Sequence, residues 1–502
     1  MVQKHIVQNY LVAMVASCCM VEFGYDGTVF SSIQVLPSWI DYFDNPNANL
    51  VGAINTAYSV CAVVFGFFIS PLVADKLGRK WALGGGSALV IVATFVMTFA
   101  PNIGAFIGGR AIAGAGQGLA MPVGTIYIEE LVYSKTRGRL MSIWQIFYGI
   151  GNKIATYISL GCVYSPHLGI WQFRVVIIFQ LVAPIILLAA LPFCPESPRW
   201  CVQNGKVEQA REALKRVRLE EEVESELNEI RAAVLYEQEN TKGSYKQLIV
   251  NKSYRKRLVL AIIMNIGQQF SGIGALSLYS GIITQQVFPN PKTVILVKAI
   301  VAICITLCPF LAFFFIDKIG RRPMFIITAL GMAGITFTMA TVTTQTASPD
   351  GKHSLGTGIG FTILEIGYYV FYGPGWGAGL WIWTSEIWPV VVRANAVAIS
   401  SQSQQVANIV LGQAYPSFLA AAGFYTFYFF MGCNLIMAVF CYFFITETKG
   451  VSLEHVDTVF GSIDHVVAGE QEAMEAGKRL DGNETAEDAK GAHYGHVESS
   501  TT

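Results

Sequence analysis

Residues 75–80 read Asp-Lys-Leu-Gly-Arg-Lys, and residues 317–322 read Asp-Lys-Ile-Gly-Arg-Arg. Each stretch lies between two long apolar runs, so each is a short charged turn joining two apolar helices. Two more pairs keep the same order. Glu130 precedes Arg137 by seven residues, and Glu386 precedes Arg393 by seven. Pro195-Glu-Ser-Pro-Arg199 closes the first group of apolar runs, and Thr446-Glu-Thr-Lys449 closes the second. Three pairs in register divide the chain into two related halves. Internal repeats of this kind mark transporters that hold substrate between their halves near the bilayer midplane.

The apolar runs recur through most of the 502 residues, of which 53% are hydrophobic and 14% charged. A soluble domain carries about 25% charged residues. Each run approaches the ~20 residues that span a bilayer as a helix. Only helices and closed barrels satisfy every backbone group in lipid. Long, continuous runs rich in Gly and Ala are helices, so the chain reads as an all-α membrane protein. Spans are expected at 9–30, 51–73, 81–100, 104–125, 141–163 and 172–193, then at 258–283, 294–316, 323–344, 357–385, 395–420 and 424–445. That gives twelve transmembrane helices in two six-helix halves, 1–195 and 257–450. Between them, 196–256 is a charged linker with an amphipathic helical pattern over 203–238, and 451–502 reads as a disordered polar tail.

Basic residues crowd the loops at Lys76, Arg79 and Lys80, at Lys135, Arg137 and Arg139, and at Lys318, Arg321 and Arg322. Such loops face the cytosol, which places both termini there and implies a multi-pass protein, with the plasma membrane the expected location. Net charge is zero, which gives no support to a nucleic-acid partner. The ten cysteines have neither disulfide-framework nor metal-ligand spacing, no cofactor motif stands out, and no nucleophile–base constellation marks an enzyme. A monomer in the lipid bilayer is the expected form.

Charge inside a membrane span is costly and points to function. Glu22 and Asp26 share one face of the first span at spacing i, i+4. Arg110 lies in the fourth span, and Lys153 lies deep in the fifth, with Glu22 or Asp26 as its expected internal carboxylate and an acidic substrate as the alternative. Asp26 and Arg110 form a natural pair. A carboxylate that exchanges an arginine for a proton is a workable coupling device. Gln145 and Asn152 lie on one face of the fifth span, Gln268 and Gln269 in the seventh, and Gln404, Gln405 and Asn408 in the eleventh. Amides both donate and accept, which suits recognition of hydroxyl groups. Trp381 offers an aromatic face to the apolar side of a sugar ring, whereas Trp388 reads as an interface anchor. Asp75, Arg79, Glu130 and Arg137, mirrored by Asp317, Arg321, Glu386 and Arg393, read as two gate clusters that hold one side shut and break as it opens.

The ordered set Gly24-Tyr-Asp26, the two charged turns, Arg110, Tyr127-Ile-Glu-Glu130 with Arg137-Gly138, Gln145, Pro195-Glu-Ser-Pro-Arg-Trp200, Gln268-Gln-Phe-Ser-Gly272, Gly375-Trp-Gly with Trp381 and Glu386, and Glu447-Thr-Lys-Gly450 resembles the sugar-porter branch of the major facilitator superfamily, its fungal members in particular. The likeness covers residues 10 to 455. It implies the major facilitator fold, alternating access, and a hexose-like substrate contacted by Gln145, Gln268, Gln269 and Trp381. It also implies proton symport, because the coupled members pair the aspartate matching Asp26 with the arginine matching Arg110. The chain departs from the family pattern at Gly274 and Ile305, where asparagine is usual, at Gln404-Gln405 in place of Asn-Trp, and at Ala378 and Leu380 in place of proline. Glu22 and Lys153 are added charges. A disaccharide, polyol, quinate-like acid or secondary metabolite is therefore an alternative cargo, with export an alternative direction. A nutrient sensor of the same fold is a further reading.

Overall fold

A computed structural model describes residues 2–132, 134–240, 248–346, 354–388 and 390–447. The tail expected to be disordered, 451–502, lies outside the described residues. So do the side chains of Arg137, Gln145, Asp317 and Arg393.

Among the described residues, twelve helices of membrane length form two groups of six. The first group is α1 (Val2–Ile33), α2 (Ala48–Lys76), α3 (Arg79–Thr98), α4 (Ile103–Leu131), α5 (Ser134–Val163) and α6 (Trp171–Phe193). Three short helices follow: α7 (Pro198–Gln203), α8 (Val207–Val217) and α9 (Glu220–Asn240). The second group is α10 (Lys252–Val287), α11 (Pro291–Ile319), α12 (Arg321–Gln345), α13 (355–386), α14 (Val390–Ala422) and α15 (Thr426–Phe444). Starts are set by side-chain caps. Asn47, Asn102, Asn251, Asn290 and Ser354 each accept from a backbone N–H in the first turn of the helix they precede.

Small residues bring the helices together, as they do in lipid, where apolar burial alone gives little drive. Gly24 of α1 lies against the backbone of Tyr148, and Gly151 of α5 against that of Val21, so α1 and α5 cross almost backbone to backbone. Gly114 and Gly118 of α4 seat in the same way on Tyr58 and Ala62 of α2.

The amphipathic linker folds as α7–α9. Trp200, Cys201, Ala210, Leu214, Val223 and Leu227 form a small apolar core of their own. Its dock is polar. The Arg218 guanidinium donates to the carbonyls of Leu131 at 2.9 Å and Val132 at 3.4 Å, and is held by Glu226 at 2.5 and 2.8 Å. Asn9 of α1 donates to the Val217 carbonyl at 2.8 Å. Trp388 is fully buried in the main core, so it is a packing residue and not an interface anchor.

The described contacts between the two halves gather at the end remote from the charged turns. Gly281 of α10 lies against the Ser31 carbonyl of α1. Ser417 of α14 donates to Asn49 of α2 at 2.8 Å, Gln34 to the Leu278 carbonyl at 3.4 Å, and Lys298 of α11 to Ser31 and Ser32. This far end is sealed.

Candidate functional site: two charged turns and a polar centre between the halves

The charged turns come first, because they explain the repeat. Gly78 (φ +115°) and Gly320 (φ +91°) occupy backbone that favours glycine. A Cβ at Gly78 would lie 2.6 Å from the Glu196 carboxylate, and one at Gly320 would lie 2.8 Å from Glu447. Each glutamate caps the helix that follows. Glu196 accepts from the N–H groups of Arg79 (3.2 Å) and Lys80 (3.3 Å), and Glu447 from those of Arg321 (2.9 Å) and Arg322 (3.1 Å). Free N–H groups and the helix dipole make that end a carboxylate site. Burial pushes the Glu196 carboxyl above the usual carboxylate range, while backbone N–H donors and Lys80 pull it back.

The arginines bind sideways. Arg79 grips Glu130 in a fork at 3.1 and 3.2 Å and reaches Asp75 at 3.3 Å; Arg321 grips Glu386 at 2.8 and 3.3 Å. Ser197 adds a bond to Glu130 at 2.5 Å. Each of these pairs lies inside one half. They tie the helices of each half to one another, one cluster to a half. The positions of Arg137, Asp317 and Arg393 in the clusters fall outside the described side chains.

The centre is built from both halves. In the first, Asp26 and Arg110 are buried and paired at 2.6 Å. Gln180 of α6 donates to the same Asp26 oxygen at 3.0 Å; the other oxygen has no hydrogen bond of good geometry among the described residues, and the Tyr58 hydroxyl is beside the carboxylate. The Arg110 guanidinium lies 4.5 Å from the Tyr58 ring centre and 5.6 Å from that of Phe30, a contact that holds the cation on apolar faces. Glu22 takes a bond from Ser87 of α3 at 2.9 Å, and its second oxygen has no hydrogen bond among the described residues. Asn152 donates to Thr28 at 2.6 Å.

Lys153 is not brought to Glu22 or Asp26. It is half-buried among Ile150, Ile154, Tyr157 and Ile158, on the side of α5 away from α1, with no ion pair among the described residues. The helical spacing sets its angle from Asn152, and the α1–α5 crossing uses the Asn152 face instead.

In the second half, α10 and α13 are both broken by wide turns, at 269–273 and 373–379. Such turns free backbone groups and often sit at functional sites. Here they meet. Gln268 donates to the Trp376 carbonyl at 2.5 Å and the Tyr372 hydroxyl at 3.0 Å, and Ser271 bonds Tyr368 at 2.9 Å. A side chain at Gly274 would meet Gln269 Oε1 at 2.9 Å and Asn408 Oδ1 at 3.6 Å, so those two amides face one another across an empty Cβ position. Gln404 and Gln405 are half-buried. Trp381 is 47% exposed, whereas Trp376 and Trp383 of the same helix are fully buried.

Tyr148 of α5 is 37% exposed, and its ring lies 5.6 Å from that of Phe23 of α1. Sequence reasoning missed Tyr58, Gln180, Tyr368, Tyr372, Lys298 and Glu365. Helical spacing could have found some of them, since Glu365, Tyr368 or Tyr369, and Tyr372 recur on one face of α13.

Two broken helices and a buried acid–arginine pair, facing each other across two six-helix halves, meet a family profile described as "Sugar (and other) transporter" that matches residues 12–460. The chain belongs to that family. It is a membrane transporter and not an enzyme. The high-affinity glucose transporter of Kluyveromyces lactis is 27% identical, over 92% of this chain and 87% of that protein. A probable quinate permease of Neosartorya fischeri is 28% identical, over 90% and 87%. The inward open xylose transporter XylE from E. coli has a similar fold, with TM-score 0.75 and 23% identity, covering 90% of this chain and 99% of that one.

Proposed function

We propose that this transporter carries a sugar or a sugar-like polyhydroxyl molecule by proton symport, with the halves rocking about the polar centre. The observation that carries this reading is the buried Asp26–Arg110 pair, closed at 2.6 Å within the first half. A lone buried carboxylate is costly, so an acid that leaves its arginine takes up a proton. Gln268, Gln269 and Asn408 contact the substrate's hydroxyls, with Gln145, Asn152, Gln404, Gln405 and Trp381 around it. Glu22 and Lys153 stand at the margin of the coupling site. The family, with a glucose transporter and a probable quinate permease among the relatives, supports a polyhydroxyl cargo.

The basic turns support a cytosolic charged end with both termini inside, in a protein that acts as a plasma-membrane monomer. The residues 1–195 and 257–450 act as moving halves and 196–256 as a linker that follows the first. Gating rests on Asp75, Arg79, Glu130 and Arg137 and on Asp317, Arg321, Glu386 and Arg393, with Arg137 and Arg393 as the candidates for bonds between halves. Uptake into proteoliposomes, screened over sugars, polyols and cyclic acids with and without an inward proton gradient, tests the proposal. Gradient-driven accumulation of a neutral polyhydroxyl compound supports it. Gradient-independent uptake of every cargo found would overturn symport.

A further inference from the structure

The sealed far end holds one element that neither the coupling pair nor the amide site uses. Lys298 of α11 is buried, and its ammonium makes three hydrogen bonds, all to the other half. They reach the Ser31 carbonyl at 2.8 Å, Ser31 Oγ at 3.0 Å and Ser32 Oγ at 3.1 Å. An ammonium has three donors, and here α1 takes every one. Other described contacts across the seal are the Gly281–Ser31 and Gly52–Gln413 approaches, the Gln34 bond to Leu278, the Ser417–Asn49 bond, and Lys292 over the Tyr164 ring at 5.4 Å.

On the same half as Lys298, Glu365 of α13 is buried, and it has no hydrogen bond or ion pair among the described residues. The helices that carry them, α11 and α13, pack against each other. The lysine is therefore placed between two choices, neutral acceptors across the seal and the Glu365 carboxyl in its own half. When the far ends part, Ser31 and Ser32 leave with α1. A buried ammonium stripped of acceptors is strongly disfavoured, and Glu365, travelling with it, is the acceptor in reach.

We propose that Lys298 is an exchanging latch: it closes the far end through Ser31 and Ser32, and passes to Glu365 when that end opens. Lys298 thus acts as a positioning residue for the transport cycle, and Glu365 sets how readily the latch releases. Glu365 shares a face of α13 with Tyr368 and Tyr372, which bond Ser271 and Gln268. Release of the latch is thereby tied to the helix that carries the substrate site. The proposal depends on alternating access but on no particular substrate or proton.

The two partners must act with opposite sign, which a merely structural ion pair would not do. The reporter is Val35→Cys, a buried position that touches Gly281 across the seal. A charged thiol reagent is applied to the purified full-length transporter, with the rate in the Val35 parent subtracted. Lys298→Met removes the latch and should raise labelling about tenfold, as expected for losing hydrogen bonds to a charged group. Glu365→Gln removes the competing partner and should lower it severalfold. Lys298→Arg should stay near the parent, and the double variant should follow Lys298→Met. Should Lys298→Met not fold, Glu365→Gln decides alone. Slower labelling supports the exchange, and unchanged or faster labelling overturns it. Because no substrate is added, this result stands apart from the uptake screen.

Discussion

The two halves carry nearly the same charged turn and quite different interiors. At the turns, Arg79–Glu130 with the Glu196 cap matches Arg321–Glu386 with the Glu447 cap, down to the pair of backbone N–H groups each cap receives. Inside, the first half closes its charges upon itself, Asp26 on Arg110 and Glu22 on Ser87. The second half has two wide turns that meet at Gln268 and Trp376, where the first half has one, in α2 at 65–69, and it adds a tyrosine face and a lysine whose bonds run to its neighbour. Duplication explains the shared turn, because both halves must pivot as rigid units about the same kind of hinge. The interiors are free to specialise. In the proposed function, one half holds the site for a proton, and the other supplies most of the groups that read a substrate.

The largest expected effect breaks the symmetric part. Arg79→Ala or Arg321→Ala leaves a buried or half-buried glutamate without its partner, a loss of about 3–5 kcal/mol for a buried pair. Initial uptake rates should fall more than about tenfold in both variants, and thermal stability in detergent should fall with them. A large loss in one half alone would show that the turns are alike in shape but not in duty.

A smaller effect should separate the interiors. Gln268→Ala removes the amide that ties α10 to Tyr372 and Trp376, and should raise the apparent KM about tenfold, while the dependence of uptake on the proton gradient is kept. Uptake measured against substrate concentration at two external pH values checks this. Gly274→Asn should cost a few-fold in affinity for bulky substrates and less for small ones, because the new side chain meets Gln269. Competition between a small and a large substrate reads the difference. Smallest of all, Lys153→Met should change the uptake rate and its pH profile by less than about twofold, since the ammonium lies outside the α1–α5 contact and holds no described ion pair.

How much of this was legible in the sequence follows physical range. The repeat, the spans and the Asp26–Arg110 pair were readable because each needs only local patterning and a rule about charge in lipid. The caps were not. Glu196 and Arg79 are 117 residues apart, and a motif repeated in both halves gives no hint that its glutamate sits on a helix start. Lys153 was read toward Glu22 because helical spacing gives an angle and no neighbour; Ser87 of α3 holds Glu22 instead. Trp388 resembled an anchor by its place at a span end, yet it is packed inside. Lys298 and Glu365 went unnoticed because each is a single charge in an otherwise apolar run, and their meaning depends on which helix faces them.

The division of labour between the halves rests on Asp26. The direct measurement is transport by Asp26→Asn in proteoliposomes, with accumulation against a gradient and substrate counterflow read in the same preparation. The variant keeps the shape of the side chain and its contacts with Arg110 and Gln180 in outline, but it cannot exchange a proton. Loss of proton-driven accumulation with counterflow partly retained is the expected result. Full accumulation driven by the proton gradient in that variant would contradict the account.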